Sequence, residues 1–241
     1  WTYELHRKAS GVDLYRDAIS WTPFFDEDHV FASGVALARL HQAARGFATQ
    51  QRGPHPLVSS FTILPADDPL AAAEQYIAQR PAIADYLVGK PWREQLTHAF
   101  ATFGTGLPNL LKTCTPVWTH NDWHPSNLLW STDASSVTTI IDFGLSAPSC
   151  AHHDIAFAIE RTAIAWLDLG SGVTDIATDI VAALRLLEGY RTVSPLCVRD
   201  IETVLRLLPL VHIEFALSEV DYFAGILNDP EQASMAWDDY A

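Results

Sequence analysis

The chain has 241 residues, is 49% apolar and carries eight Trp, eleven Phe and seven Tyr. A chain of that composition can bury enough apolar surface to offset its ordering entropy, which excludes disorder and predicts one large domain or two small ones. Fifteen Lys and Arg against 29 Asp and Glu leave a net charge of -14, which argues against nucleic acid or an anionic membrane surface as partner.

From the N-terminus, Trp1–Arg7 has strand character, with Tyr3 and Leu5 on one face. Lys8–Gly11 reads as a turn-like connector into Val12–Tyr15. Asp26 is placed to cap a helix running to about Ala44, where Val30, Val35, Ala38 and His41 recur at helical spacing and Gly46 fits the end. The Pro-rich passage Gly53–Pro69 predicts an irregular loop. Helices are expected over Pro69–Gln79, Pro81–Gly89 and Pro91–Phe103, each opened by a proline whose missing N–H is harmless in a first turn. Short strands follow at Pro116–His120, Leu128–Trp130 and Val137–Ile141. After Ser149 the spacing is helical to about residue 189, again over 196–227, and from 230. The result is a mostly helical body with a small β insert at its middle.

Several polar features have ordinary readings. Gly104-Thr105-Gly106 and Gly170-Ser171-Gly172 lack the strand–helix context of a nucleotide-binding turn and read as loops. Trp118, Trp123 and Trp130 read as packing. Glu214, Glu219, Asp221, Asp229, Glu231, Asp238 and Asp239 read as a solvated helical face. Cys114, Cys150 and Cys197 are widely spaced without a CxxC pair, so they predict neither a disulfide framework nor a thiolate zinc site and fit a reducing cytoplasm. No apolar run reaches a membrane span, and the start shows no signal-peptide pattern.

The chemistry concentrates in His120-Asn121-Asp122-Trp123-His124-Pro125-Ser126-Asn127 and, beyond a hairpin, Asp142-Phe143-Gly144. The turn formers Ser131–Ser136 predict a hairpin centred between Ala134 and Ser135. That register sets Leu128 opposite Ile141 and Asn127 opposite Asp142, with Asp122 on the loop that enters it. Amide and carboxylate oxygens so gathered are hard donors suited to Mg²⁺, above all where substrate phosphates complete the shell. His120, Asp122, His124, His152, His153 and Asp154 could instead form a zinc or di-metal hydrolase cluster. That reading leaves Asn127 and Asp142-Phe143-Gly144 unexplained.

His120-x-Asp122-x-x-x-x-Asn127 followed by Asp142-Phe143-Gly144 resembles the catalytic and metal-binding loops of the protein-kinase-like superfamily. The variant His-Asn-Asp-Trp-His-Pro-Ser-Asn looks most like its aminoglycoside phosphotransferase and small-molecule kinase branch. The resemblance is strong over residues 118–161 and loose over the rest of 1–230. It implies an α+β, mostly helical, protein-kinase-like C-terminal lobe built around a small catalytic β-hairpin. Asp122 would orient a substrate hydroxyl and accept its proton. Asn127 and Asp142 would hold Mg²⁺ on the phosphates of ATP or GTP, His120 would brace the loop, and Gly144 would permit the tight backbone after Asp142. His124 stands where protein kinases usually place a basic residue, and no Ala-Pro-Glu closes an activation segment. His152-His153-Asp154 leads instead almost directly into a helix, where Asp154 would steady the catalytic loop.

Such enzymes also carry a glycine-rich phosphate cover and a strand lysine upstream. Neither Lys8, Lys90 nor Lys112 has that context, and no glycine-rich hairpin precedes residue 11. Tyr3–Gly11 resembles the interlobe linker, with the backbone near His6 as an adenine contact. Residues 1–15 are therefore expected to be the end of an N-lobe strand and the hinge, and 16–241 the C-terminal lobe, its N-terminal lobe absent. The implied activity is phosphoryl transfer to a small hydroxylated molecule in the cytoplasm. The alternative is a catalytically incomplete module that binds a metabolite or protein without phosphoryl transfer.

Overall fold

Local capping explains many of the helix starts in the computed structural model, which describes residues 5–50, 57, 61–169 and 178–239. Helix α1 (Glu27–Ala43) starts where Asp26 Oδ1 accepts the His29 N–H at 2.8 Å, and Gly46 turns the chain out of it at φ 77°. Helix α2 (Pro69–Ala78) is capped by Asp68, whose Oδ1 accepts the Ala71 N–H at 3.0 Å. Helix α3 (Pro81–Tyr86) opens on its proline as expected but stops early in a turn through Gly89 at φ 78°, whereas α4 (Trp92–Phe103) begins one residue after Pro91, which stands at its cap. Helix α5 (Leu107–Leu111) is an addition to the sequence reading, released by Gly106 at φ 76°.

Strands β1 (Pro116–Thr119), β2 (Leu128–Trp130), β3 (Val137–Ile140) and β4 (Ala147–Cys150) come next, with a short 3₁₀ turn over Pro125–Asn127 before β2. Helices α6 (Ala151–Ala163), α7 (Trp166–Leu169), α8 (Ile180–Arg191), α9 (Val198–Leu207), α10 (Val211–Tyr222) and α11 (Pro230–Ser234) complete the chain. The π-helical stretches Phe223–Leu227 and Met235–Asp239 extend α10 and α11. The class is thus α+β and mostly helical, as expected. Strand β4 is new: its Pro and small residues hid it, but Ala147 pairs with Thr119 and Cys150 with Pro116 in an antiparallel ribbon. Of the expected first strand, residues 1–4 lie outside the described residues and 5–7 belong to no strand. Gly170-Ser171-Gly172 and most of the 53–60 passage also lie outside them, while 61–68 form no regular element. No helix among the described residues is long and apolar enough to cross a membrane.

The chain divides into two compact units. The first comprises residues 1–40, 122–143 and 161–195. Its β2–β3 hairpin is joined by Val12, which exchanges both backbone hydrogen bonds with Trp130, at 2.8 and 2.9 Å. The buried Trp130 indole packs on the His29 ring at a centroid separation of 4.4 Å, and Tyr15 Oη hydrogen-bonds His29 Nδ1 at 2.7 Å. Helices α1 and α8 cross with their backbones in contact. A Cβ at Gly34 would lie 2.1 Å from the Leu186 carbonyl oxygen, and one at Gly189 2.0 Å from that of Phe31. Only glycine admits an approach this close.

The second unit comprises residues 41–121, 144–160 and 196–241. Helix α10 is buried there almost all round, through Val211, Ile213, Phe215, Ala216, Leu217 and Val220. Glu214 on this helix is buried too, contrary to the expected solvated face. Its carboxylate accepts the Thr62 N–H at 3.1 Å, the Thr62 hydroxyl at 2.8 Å and the Ile63 N–H at 3.1 Å, which compensates its lost hydration.

His153 is buried between Phe61 and Phe157, with ring centroids 4.3 and 4.9 Å away. Burial, opposed only in part by the charge of Asp154, pushes its pKa down to about 4. The folded value lies below the unfolded value of about 6.5, so the neutral form is favoured by folding. Its stabilisation is complete above pH ~6.5 and is lost as pH falls from there through about 4. Equilibrium unfolding should show His153→Leu with a flatter pH dependence than wild type between these limits. The difference should be on the order of 3 kcal/mol.

Candidate active site

The hairpin that carries Asn127 and Asp142 belongs to the first unit. Asp133 Oδ1 closes its turn by accepting the Ser135 N–H at 3.2 Å and the Ser131 and Ser135 hydroxyls at 2.5 and 2.9 Å. Ser131 N–H donates to Ser136 O at 2.8 Å, and Ala134 adopts φ 59°. The hairpin therefore centres one residue earlier than the turn formers predict. Trp130 pairs with Val137 and Leu129 with Thr139, which leaves Thr138 as a bulge. The expected pairing of Leu128 with Ile141 is corrected accordingly. Leu128 faces Ile140, and Asn127 O accepts the Ile141 N–H at 3.0 Å. Asp142 follows one position beyond Asn127's partner rather than opposite Asn127 itself.

The bulge is tied down from outside the hairpin. Thr138 Oγ1 lies 3.1 Å from Leu129 O and 3.2 Å from Ser10 O, and Thr139 Oγ1 donates to Ser10 O at 2.7 Å. Gly11, at φ 118°, passes so close that a Cβ there would lie 2.3 Å from Thr138 Oγ1. The left-handed backbone after β3 falls on Asp142, at φ 58°, and not on Gly144. Aspartate tolerates that conformation better than most residues. Asp142, Phe143 and Gly144 are all exposed.

Asp122 and Asn127 are in direct contact. Asn127 Nδ2 donates to the Asp122 carbonyl at 2.9 Å and lies 3.3 Å from Asp122 Oδ2. The carbonyl can only accept, so it fixes which end of the amide is nitrogen. His124 Nε2, 3.0 Å from that same nitrogen, must then be an acceptor, and its Nδ1–H donates to Ser126 Oγ at 2.8 Å. Buried and so engaged, His124 braces the loop from within. Asn127 Oδ1 receives no protein hydrogen bond among the described residues. This oxygen and the Asp142 carboxylate, at one end of the hairpin, are the hard donors that a divalent cation such as Mg²⁺ requires. The residues present fit that ion.

Arg161 joins the site although no motif marks it. It is fully buried, its Nε lies 3.4 Å from Asp122 Oδ1, and its guanidinium carbon stands 4.6 Å from the Trp21 ring centroid. The signal was present: a cation two helical turns after Asp154, at the end of the apolar run Ile155–Ile159, is buried only if something compensates it.

The second unit holds the two residues before Asp122. Asp154, fully buried in the first turn of α6, accepts the His120 N–H at 2.9 Å through Oδ2 and the Asn121 N–H at 2.8 Å through Oδ1. His41 Nε2 lies 2.9 Å from the same Oδ2. Burial opposes the ionisation of Asp154. The His41 hydrogen bond, the charges of His41 and His120 and the His120 N–H outweigh it and hold the carboxyl below its usual range. Asn121 takes φ 61° to make the turn, held by Thr119 Oγ1–H to its Oδ1 at 2.9 Å and by its own Nδ2–H to Leu145 O at 3.1 Å. His120 is buried beside this anchor. His6 is exposed in a segment without regular structure. The hydrolase alternative does not assemble: among the described residues the only three ligating atoms within 4.8 Å of one another belong to Cys114, Cys150 and His152.

Residues 3–196 match the sequence profile of the phosphotransferase enzyme family. No curated protein sequence matches the chain. Among solved structures, it is similar to the apoenzyme of macrolide 2'-phosphotransferase MphH from Brachybacterium faecium, at a TM-score of 0.54 and 15% identity over 95% of this chain and 67% of that one. It is also similar to APH(2")-IIia in complex with GDP and kanamycin, at a TM-score of 0.51 and 18% identity over 97% of this chain and 67% of that one. At these identities the likeness is one of fold, and the chain spans about two thirds of each.

Proposed function

The chain belongs to the phosphotransferase enzyme family, and on that premise we propose that it transfers the γ-phosphoryl group of ATP or GTP to a hydroxyl of a small molecule. The observation that carries this reading is the contact between Asp122 and Asn127, which joins a base to an oxygen donor at the mouth of the hairpin. Asp122 accepts the proton of the acceptor hydroxyl as the oxygen–phosphorus bond forms and the β–γ bridge breaks, with a nucleoside diphosphate leaving. Arg161 on one carboxylate oxygen and Asn127 on the other fix the plane of Asp122. Positioning of this kind contributes much of the acceleration in phosphoryl transfer. Asn127 and Asp142 hold Mg²⁺, which when bound supplies charge neutralisation on the transferring phosphates. His120, His124 and Asp154 support the loop.

Residues 1–15 serve as the hinge, with backbone near His6 at the adenine, and 16–241 form the helical lobe, working in the cytoplasm where the nucleotide is abundant. APH(2")-IIia in complex with GDP and kanamycin, and MphH named for macrolides, give the acceptor classes to test first.

The test uses the intact protein with Mg·ATP or Mg·GTP against macrolides, aminoglycosides and smaller alcohols, following diphosphate release and the mass of the acceptor. Acceptor-dependent release with a phosphorylated product is the expected result. Nucleotide binding without a phosphorylated product from any acceptor would overturn the proposal.

A further inference from the structure

The widely spaced cysteines gave no metal signature in sequence, yet the fold of the second unit brings two of them together. Cys114 precedes β1 and Cys150 ends β4, and the ribbon pairs Pro116 with Cys150. His152 follows in the first turn of α6. Cys114 Sγ, Cys150 Sγ and one ring nitrogen of His152 all lie within 4.8 Å of one another. Cys114 Sγ is 3.4 Å from His152 Nδ1. Tetrahedral zinc with ordinary bond lengths sets sulfur and nitrogen ligands about 3.6 Å apart. Cys150 is buried, while Cys114 and His152 keep partial access to solvent.

The other ring nitrogen of His152 is already committed. Nε2 lies 2.9 Å from Asp200 Oδ1, and Asp200 Oδ2 accepts the Cys197 N–H at 2.7 Å at the start of α9. An ionised carboxylate only accepts, so Nε2 carries a proton and Nδ1 is the ring nitrogen that faces Cys114 Sγ. A carboxylate behind an imidazole, fixing its tautomer and orientation, is the usual support of a metal-bound histidine.

We propose that Cys114, Cys150 and His152 bind a zinc ion, with Asp200 as the residue that orients His152. Binding releases two protons from the three side chains and leaves a fourth position to water. Two thiolates and an imidazole select zinc over Mg²⁺, whose hard character favours oxygen, so the site is chemically separate from that of Asn127 and Asp142. It would fasten the β1–β4 ribbon to the first turn of α6 and the start of α9. Asp154 lies on that same turn of α6, so the ion would also steady the anchor of His120 and Asn121.

The test is metal uptake by the intact protein, reduced and stripped with chelator, and it is independent of phosphoryl transfer. Titration with Co²⁺ should give one equivalent bound, with the visible bands of tetrahedral cobalt and a thiolate charge-transfer band, both abolished by Zn²⁺. Cys150→Ser should lose the charge-transfer intensity of one thiolate. Asp200→Asn should weaken binding roughly 10–100-fold. The proposal is overturned if reduced wild-type protein binds neither ion stoichiometrically, or if Cys150→Ser and His152→Ala bind as wild type does. A Cys114–Cys150 disulfide that forms in air equally with and without Zn²⁺ would overturn it too. The wild-type titration decides the matter even where a variant fails to fold.

Discussion

Asp122→Asn should lower kcat for phosphoryl transfer by roughly 10²–10⁴-fold, the contribution expected of a positioned base. The substitution keeps the shape of the side chain and removes its capacity to take the acceptor's proton. The KM for nucleotide should change less than kcat, because Asn127 keeps its hydrogen bond to the Asp122 carbonyl and Asp142 is untouched. Arg161 complicates the comparison. Its Nε is 3.4 Å from Asp122 Oδ1 and it is fully buried, so a neutral amide leaves a buried cation less compensated and lowers the melting temperature. Rates should therefore be compared by diphosphate release at a temperature where both proteins are folded. A kcat equal to wild type would remove Asp122 from the role of base.

The largest loss of stability is expected from Asp154→Asn. Three donors converge on the two carboxylate oxygens: the N–H groups of His120 and Asn121 and the His41 ring. An asparagine presents an NH₂ to at least one of them, donor against donor, inside a dry site. The cost should be roughly 3–5 kcal/mol at neutral pH, the range for breaking a buried pair. Its pH dependence is diagnostic. The folded Asp154 carboxyl titrates below its usual range, so its stabilisation is present above the unfolded value of about 3.9 and is lost as pH falls through the folded value. Denaturant titrations of the two proteins should diverge at neutral pH and converge in strong acid. Activity should fall together with stability, since Asp122 directly follows the two anchored residues.

What could be read from sequence was local. Asp26 as a cap, the prolines at the starts of α2 and α3 and the linked pattern of His120, Asp122, Asn127 and Asp142 each rest on neighbours within a few residues. The hairpin register was missed by a residue because it depends on how the Asp133 carboxylate closes the turn and on the bulge at Thr138, held through Ser10. Strand β4 escaped because its pairing partner, not its composition, makes it a strand. Glu214, Arg161 and His41 look like surface or periodic residues until their distant partners are seen. The same holds for Cys114, whose neighbours Cys150 and His152 arrive only through the β1–β4 pairing. Long-range compensation of buried charge leaves no spacing rule to read.

The glycine crossing of α1 and α8 has a mechanical meaning. Two helices that meet through side chains can slide or roll by small rotamer changes, but Gly34 and Gly189 bring backbone onto backbone. A shift of one residue in either helix would carry Ser33 or Val35, Glu188 or Tyr190, into the gap that only a hydrogen atom fills. The crossing works as an index pin, holding one register and penalising its neighbours. His29, on the same α1, packs against Trp130 in the β2–β3 hairpin. The pin therefore gives that hairpin a fixed backing, so that the register of α1 against α8 sets where Trp130 is held.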